Sequence, residues 1–228
     1  MKKKKILFIL GLVFLIFSCK KETLGIEMIK IPGKNFEMSK TEITQEIYEK
    51  IMGENPSESK GKSNPVENIR GFDAFVFCNK LSEMEGLTPV YSVRGKKNVE
   101  KWNYTLDGVG GQVIQDDNAN GYRLPSEEEW LFAAKGGEEY KYAGSNDIDE
   151  VAWNPNNSKG TQPVAQKKAN GFGLYDMIGN VEELCFNKRL CGGSFYWFYS
   201  FNNTESRVYS FHHKYSDVGF RIVRTISE

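Results

Sequence analysis

The sequence is short of the residues that most often carry chemistry. It has two histidines, four cysteines and seven prolines in 228 residues, and no net charge, with 30 basic against 30 acidic side chains. The two histidines, His212 and His213, are neighbours. Adjacent residues on an extended segment point to opposite sides, so they do not converge on one iron with a carboxylate. The balanced charge removes the electrostatic reason to expect nucleic acid as a partner. No G-x-S-x-G elbow, Walker loop or dinucleotide glycine pattern occurs. No tandem repeat of 20–50 residues is visible, which excludes solenoids and propellers. The sequence is 39% hydrophobic and 26% charged, which excludes extended disorder.

The longest apolar run, Ile6 to Phe17, follows Lys2 to Lys5. As a helix it spans about 18 Å, short of a bilayer core of about 30 Å. A basic start, a short apolar run and Ser18 before Cys19 read as a secretory signal peptide. An uncleaved signal anchor is the alternative. Three cysteines remain beyond Cys19. Cys185 and Cys191 lie close enough in sequence to pair in an oxidising setting, which spacing alone does not prove. Cys78, in the apolar run Phe75-Val76-Phe77-Cys78, reads as a buried, inert thiol.

What is present is a set of short, well-punctuated elements. Residues 25–39 alternate around a Pro-Gly turn and predict a hairpin. Thr41 to Met52 has helical spacing, with Thr41 or Thr44 as cap. Gly71 to Glu85 predicts a second helix stopped at Gly86. Residues 90–118 read as short strands and turns. Ser126 with Glu129 forms a capping box opening a helix over 127–134, and Val218 to Thr225 reads as a strand. Helices early and irregular β-like segments late argue for a single α+β domain rich in loops.

Residues 195–217 are unusual. Nine of these 23 residues are Phe, Tyr or Trp, against 13% overall, and both histidines lie among them. Phe195 to Tyr199 is an unbroken aromatic run. A two-faced strand puts alternate side chains outward, so some of these rings face solvent. Aromatic anchors mixed with Ser and Asn have the composition of a paratope. An aromatic-rich core with ordinary loops is the alternative, and Phe195 is the ring most suited to it.

Several segments together resemble one family. They are Asn64-Pro65-Val66-Glu67-Asn68, Gly121-Tyr122-Arg123-Leu124-Pro125-Ser126 followed by Glu127-Glu128-Glu129-Trp130, and Asn170-Gly171-Phe172-Gly173-Leu174-Tyr175-Asp176-Met177-Ile178-Gly179-Asn180-Val181. Gly192-Gly193-Ser194-Phe195 and Gly219-Phe220-Arg221 follow. The chain from about residue 26 resembles the formylglycine-generating enzyme, or sulfatase-modifying factor, superfamily. That resemblance implies a C-type-lectin-like fold of the formylglycine-generating subtype. The calcium motifs of sugar-binding lectins, Glu-Pro-Asn and Trp-Asn-Asp, are absent. Arg123 reads as an internal salt-bridge residue.

The resemblance also implies what is missing. Family oxidases hold copper on two cysteines, and the positions here are Trp197 and Asn202, neither of which supplies a thiolate. Catalytic residues are therefore expected to be none. Asp176, Gly179, Val181 and Glu183 match positions that bind calcium through oxygen in some members. A hydrogen-bonded turn without metal is the alternative reading.

The aromatic stretch between Gly-Gly-Ser-Phe and Gly-Phe-Arg further resembles the variable proteins of diversity-generating retroelements, most of all the treponemal variable lipoproteins. In that group adenines in the codons of a C-terminal segment are rewritten. Asn codons then yield Tyr, Phe, Ser, His, Asp and others, but not Trp, Lys, Glu, Gln or Met; the exceptions in residues 195–217 are Trp197, Glu205 and Lys214. The expectation is a non-catalytic surface lipoprotein. Residues 1–18 would be a lipoprotein signal peptide, 19–25 a tether lipidated at Cys19, and 26–228 the domain. It would bind a macromolecular ligand, expected to be a protein, through Tyr196, Trp197, Phe198, Tyr199, Phe201, Asn202, Asn203, Tyr209, Phe211, His212, His213, Tyr215 and Asp217. It would be a monomer anchored to the outer face of a bacterial envelope, without nucleic acid. A superfamily enzyme with a divergent, metal-dependent site is the competing expectation.

Overall fold

The Pro-Gly turn closes a hairpin of β1 (Met28–Lys30) and β2 (Phe36–Ser39), with Met28 opposite Ser39. A computed structural model describes residues 24–103, 111–198 and 207–226. After β2 comes helix α1 (Gln45–Met52). The Thr44 side chain accepts from the Ile47 N–H, and Gly53 ends the helix in the left-handed region. Helix α2 (Gly71–Met84) is apolar over most of its surface and is buried over most of it. Its Asn79 is fully buried and behaves as a spare strand edge. The Asn79 Nδ2 donates to the carbonyls of Tyr91 and Lys97 at 2.8 and 2.9 Å, and Oδ1 accepts from the Tyr91 N–H at 3.0 Å. This fixes the two-stranded pair β3 (Tyr91–Val93) and β4 (Val113–Gln115) on the helix.

Strand β5 (Tyr122–Arg123) leads through the Ser126 capping box into α3 (Glu127–Lys135). Arg123 makes the internal ion pair expected of it, with both guanidinium nitrogens 2.7 Å from Glu129. A one-turn helix α4 (Ile148–Val151) follows, then a long loop region. The chain ends in β6 (Glu182–Leu184), β7 (Arg189–Cys191), β8 (Arg207–Val208), β9 (Val218–Gly219) and β10 (Val223–Thr225).

Two four-stranded sheets organise these strands, in the orders β1-β2-β10-β5 and β8-β7-β6-β9. The stretch expected to be one C-terminal strand is two. Val218 and Gly219 pair in parallel with β6, while Val223 to Thr225 pair with β2 and β5. The break between them is Phe220-Arg221-Ile222, where the chain crosses from one sheet to the other. Arg221 is fully buried there. Its Nε and Nη2 grip Glu183 at 2.6 and 2.7 Å, and its remaining donors reach the carbonyls of Ser39 and Tyr175. The two sheets are thus joined by a buried ion pair with nearly every donor used.

The core has two clusters. One surrounds α2, with Tyr48, Phe75, Phe77, Tyr91 and Phe220. The other surrounds α3, with Trp130, Met177, Ile178, Cys185 and Cys191. Cys78 is wholly buried in the first cluster, and burial pushes its thiol far up, as an inert structural thiol requires. Among the described residues no helix is long and apolar enough to cross a membrane.

Candidate binding site

The aromatic arm begins where β7 ends. Gly192 and Gly193 both have left-handed backbones, with φ of 89° and 67°. A Cβ on Gly192 would lie 3.0 Å from the Met177 carbonyl and 3.1 Å from the Trp130 ring. Glycine is needed there both for the torsion and for the close approach. Ser194, fully buried, then organises the turn. Its Oγ accepts from the N–H groups of Tyr196 and Trp197, each at 3.1 Å, and lies 3.3 Å from Asp217 Oδ2. The Ser194 N–H donates to the Trp197 carbonyl at 2.9 Å, and the Phe195 N–H to the Asn180 carbonyl at 2.9 Å.

This turn pushes three successive rings outward. Tyr196, Trp197 and Phe198 are 65%, 48% and 54% exposed. Such a run of large rings is what a soluble surface avoids unless something covers it. Tyr196 and Trp197 meet edge to face with centroids 5.3 Å apart, so each limits the other's freedom before any ligand arrives. Phe195 is half-buried. Beside the rings lies a cavity of about 580 Å³ whose lining includes Phe195, Tyr196, Trp197, Tyr215 and Asp217.

The opposite wall comes from distant sequence. Glu58, Ser59 and Lys159 line the same cavity. The Ser59 N–H donates to the buried Glu67 carboxylate at 2.9 Å, and the Asn68 N–H donates to the Tyr215 carbonyl at 2.9 Å. The Asn64 to Asn68 segment therefore holds both walls. Burial raises the Glu67 carboxyl to about 7, well above an ordinary carboxylate. Nothing in the sequence tied Glu58, Ser59 or Lys159 to the aromatic stretch; the contact is made only by folding.

The other expected binding residues divide. Tyr209 is in the core, with its hydroxyl 2.9 Å from the Ile69 carbonyl and 2.7 Å from that of His213. Its ring packs against Phe211 and Tyr215, so it has no face for a ligand. Phe211 is half-buried against Phe72 and Phe75, at 5.6 and 5.1 Å. These two are aromatic because the α2 cluster needs them. His212 and His213 are exposed, the first edge-on to Phe72 and the second with Nδ1 3.3 Å from the Tyr215 hydroxyl. Asp217 is buried and ties the end of the stretch to Ser194, while its carbonyl accepts from the Glu182 N–H at 2.8 Å. Tyr199, Phe201, Asn202 and Asn203 lie outside the described residues.

The sequence profile of the sulfatase-modifying factor enzyme 1-like domain matches residues 20–226. The chain belongs to this family. It is 38% identical over 173 residues to the "Chaperone protein LppX" of Paenibacillus barcinonensis, covering 67% of this chain and 62% of that one. The chain therefore spans less than two thirds of that relative. It is 41% identical over 78 residues to the formylglycine-generating enzyme of Mycobacterium tuberculosis, 28% of this chain and 26% of that enzyme. In structure it matches Treponema denticola variable protein 1 with a TM-score of 0.75 and 28% identity, over 88% of this chain and 92% of that one. CarF matches with a TM-score of 0.72 and 28% identity, over 90% of this chain and all of that one, 100%. The expected α+β, formylglycine-generating, C-type-lectin-like fold is thus borne out, as is the resemblance to a treponemal variable protein.

The calcium positions can be tested on the same geometry. Asp176 is buried and has one oxygen engaged by the Ala165 N–H at 2.7 Å, while its Oδ1 has no partner. Glu183 is different. Its two oxygens already take three donors, two from Arg221 and one from Trp130 Nε1 at 2.6 Å. A guanidinium already matches its charge, so the set offers a cation Asp176 but not a free Glu183. The Val181 N–H and the Asn180 amide are both held by Glu42, a second buried carboxylate. Among the described residues no three His, Cys, Asp or Glu side chains converge as a metal site.

Proposed function

We propose that this protein is a non-catalytic, lipid-anchored binding protein whose ligand, a protein, is held by the aromatic arm at Tyr196, Trp197 and Phe198. The observation that carries the reading is three exposed rings in a row, set by Ser194 on a buried frame beside a cavity. Rigid aromatic anchors bury much area at little entropic cost, and a few of them dominate most interfaces. Glu58 and Lys159, which line the same cavity, supply polar contacts beside them, and the exposed His212 and His213 are further members of the proposed binding set. Tyr199, Phe201, Asn202 and Asn203, outside the described residues, belong to the proposed binding set on sequence alone.

Export rests on the Lys2–Lys5 and Ile6–Phe17 segment, with Cys19 lipidated and the domain displayed on the outer face of the envelope as a monomer that does not bind nucleic acid. Diversification rests on the frame around residues 195–217 and on the likeness to the treponemal variable protein. Sequencing the flanking DNA tests it: a near-copy of the codons for 195–225, richer in adenine and beside a reverse-transcriptase gene, is expected. If isolates differ as often in α2 as in this stretch, and no such copy exists, diversification is wrong and a fixed binding module remains.

Family membership favours a second reading, an oxidase or non-haem metal enzyme with a divergent site. Trp197 stands where a copper thiolate is expected, and it faces solvent as an indole. Metal analysis and turnover of a cysteine-containing peptide separate the two readings: bound copper or iron with turnover would establish the enzyme.

A further inference from the structure

Strands β6 and β7 form a hairpin whose register sets Glu183 opposite Cys191 and Leu184 opposite Leu190. The Cys185 N–H donates to the Arg189 carbonyl at 2.9 Å, which carries that register one step toward the turn. Side chains two apart on a strand share a face. Cys185 and Cys191 are therefore diagonal neighbours on one face of the hairpin. Their sulfurs are 3.6 Å apart, and the residues are 0% and 1% exposed. Cys78 belongs to the other core cluster, so the two thiols have each other as sulfur neighbours.

We propose that Cys185 and Cys191 are joined by a disulfide when the chain folds under oxidising conditions, and that this bond staples the hairpin from which the aromatic arm springs. The sulfurs must close from 3.6 Å to about 2.05 Å. Diagonal neighbours typically stand about 7–8 Å apart, just beyond the Cα range disulfides usually span, so closure requires the backbones of β6 and β7 to move toward each other. Cys191 is followed directly by the Gly192–Gly193 turn, so the staple would act at the root of the arm.

The chemistry is an exchange. The thiolate of one cysteine attacks a small-molecule disulfide, or that of an exported oxidoreductase, and releases one thiol from it. The second cysteine, as thiolate, attacks the mixed disulfide and releases the other. Two protons and two electrons leave the cysteine pair, and the oxidant ends as two thiols. Attack needs a thiolate and access, and the folded hairpin offers neither: burial and the neighbouring sulfur hold the Cys185 thiol in its neutral form. The bond is therefore made while the hairpin is still open. Once folded, the same burial excludes reductants, which makes the disulfide structural and not a switch.

The experiment uses the unmodified full chain, reduced and unfolded, then refolded in a buffer of reduced and oxidised glutathione with the poise of a secretory compartment. Free thiols are alkylated in denaturant and the protein is digested with trypsin. Lys188 and Arg189 lie between the two cysteines, so cleavage separates them unless sulfur joins them. The expected product is a joined Cys185–Cys191 peptide two hydrogens lighter than its reduced parts, with Cys78 alkylated. Dithiothreitol is expected to leave the bond intact in native protein, to open it in denaturant, and to lower the melting midpoint of the refolded reduced form by several degrees. Separate alkylated peptides would overturn the proposal. So would linkage of either cysteine to Cys78 or Cys19, or copper recovered on the pair in place of the bond.

Discussion

Arg221 and Glu183 form a two-point ion pair, Nε to Oε2 at 2.6 Å and Nη2 to Oε1 at 2.7 Å, with both side chains shut off from water. It is a joint and not a reactive group, because Trp130 and two carbonyls use the remaining capacity of the pair. Removing one partner leaves the other charged and buried. Arg221→Ala is expected to cost about 3–5 kcal/mol in denaturant unfolding. A loss below about 1 kcal/mol would show that the two sheets are held by something else.

Trp197 and Tyr196 should behave in the opposite way. They are exposed, so Trp197→Ala and Tyr196→Ala are expected to change stability by no more than about 0.5 kcal/mol. Either should weaken ligand binding by about 2 kcal/mol, which is roughly thirtyfold in Kd. Calorimetric titration against a captured ligand, with thermal melts of the same variants, checks both halves.

Tyr209→Phe separates core from surface within the same stretch. It removes a hydroxyl that lies between the carbonyls of Ile69 and His213 and keeps the ring. A loss of about 1–2 kcal/mol in stability with unchanged ligand affinity is expected. Unchanged stability and lost affinity would return Tyr209 to the binding face.

Ser194→Ala tests the turn that presents the rings. The N–H groups of Tyr196 and Trp197 lose their acceptor. A stability loss of about 1–2 kcal/mol is expected, and the loosened arm should bind more weakly because its rings are no longer held in advance. Hydrogen exchange at the two amides is the direct readout.

The buried Asp176 sets a pH dependence. Burial raises its carboxyl to about 6 in the fold, against about 3.9 in an unfolded chain. The fold thus favours the protonated form. That contribution is complete below about pH 4 and is lost as pH climbs through 6. Asp176→Asn stays neutral, so it should exceed the native protein in stability by about 1–3 kcal/mol at pH 8 in a chelator and lose that advantage below pH 5. If calcium binds there, adding it at pH 8 reverses the order of the two proteins.

The helices were legible in the sequence because their signals are local. Thr44, Gly53, Ser126 and Glu129 mark ends through bonds to residues three or four away. The C-terminal run was not legible as two strands. Val218 and Val223 look alike locally, and the partners that divide them, β6 and β2, are set by the crossing at Arg221. The site shows the same split. An outward aromatic run was visible as composition, and Tyr196 to Phe198 fulfil it. Tyr209 and Phe211 have the same composition and face inward, because Ile69, Phe72 and Phe75 meet them only after folding.

The bonds that shape the arm run through main-chain amides and through Ser194, at its root. It is the main-chain N–H groups of Tyr196 and Trp197, not their rings, that Ser194 Oγ accepts from. Bonds to main-chain N–H groups are indifferent to which side chain follows, so an exchange at 196 or 197 would leave the Ser194 bonds in place. Tolerance of that kind is inherited with the scaffold, before any ligand selects among the versions.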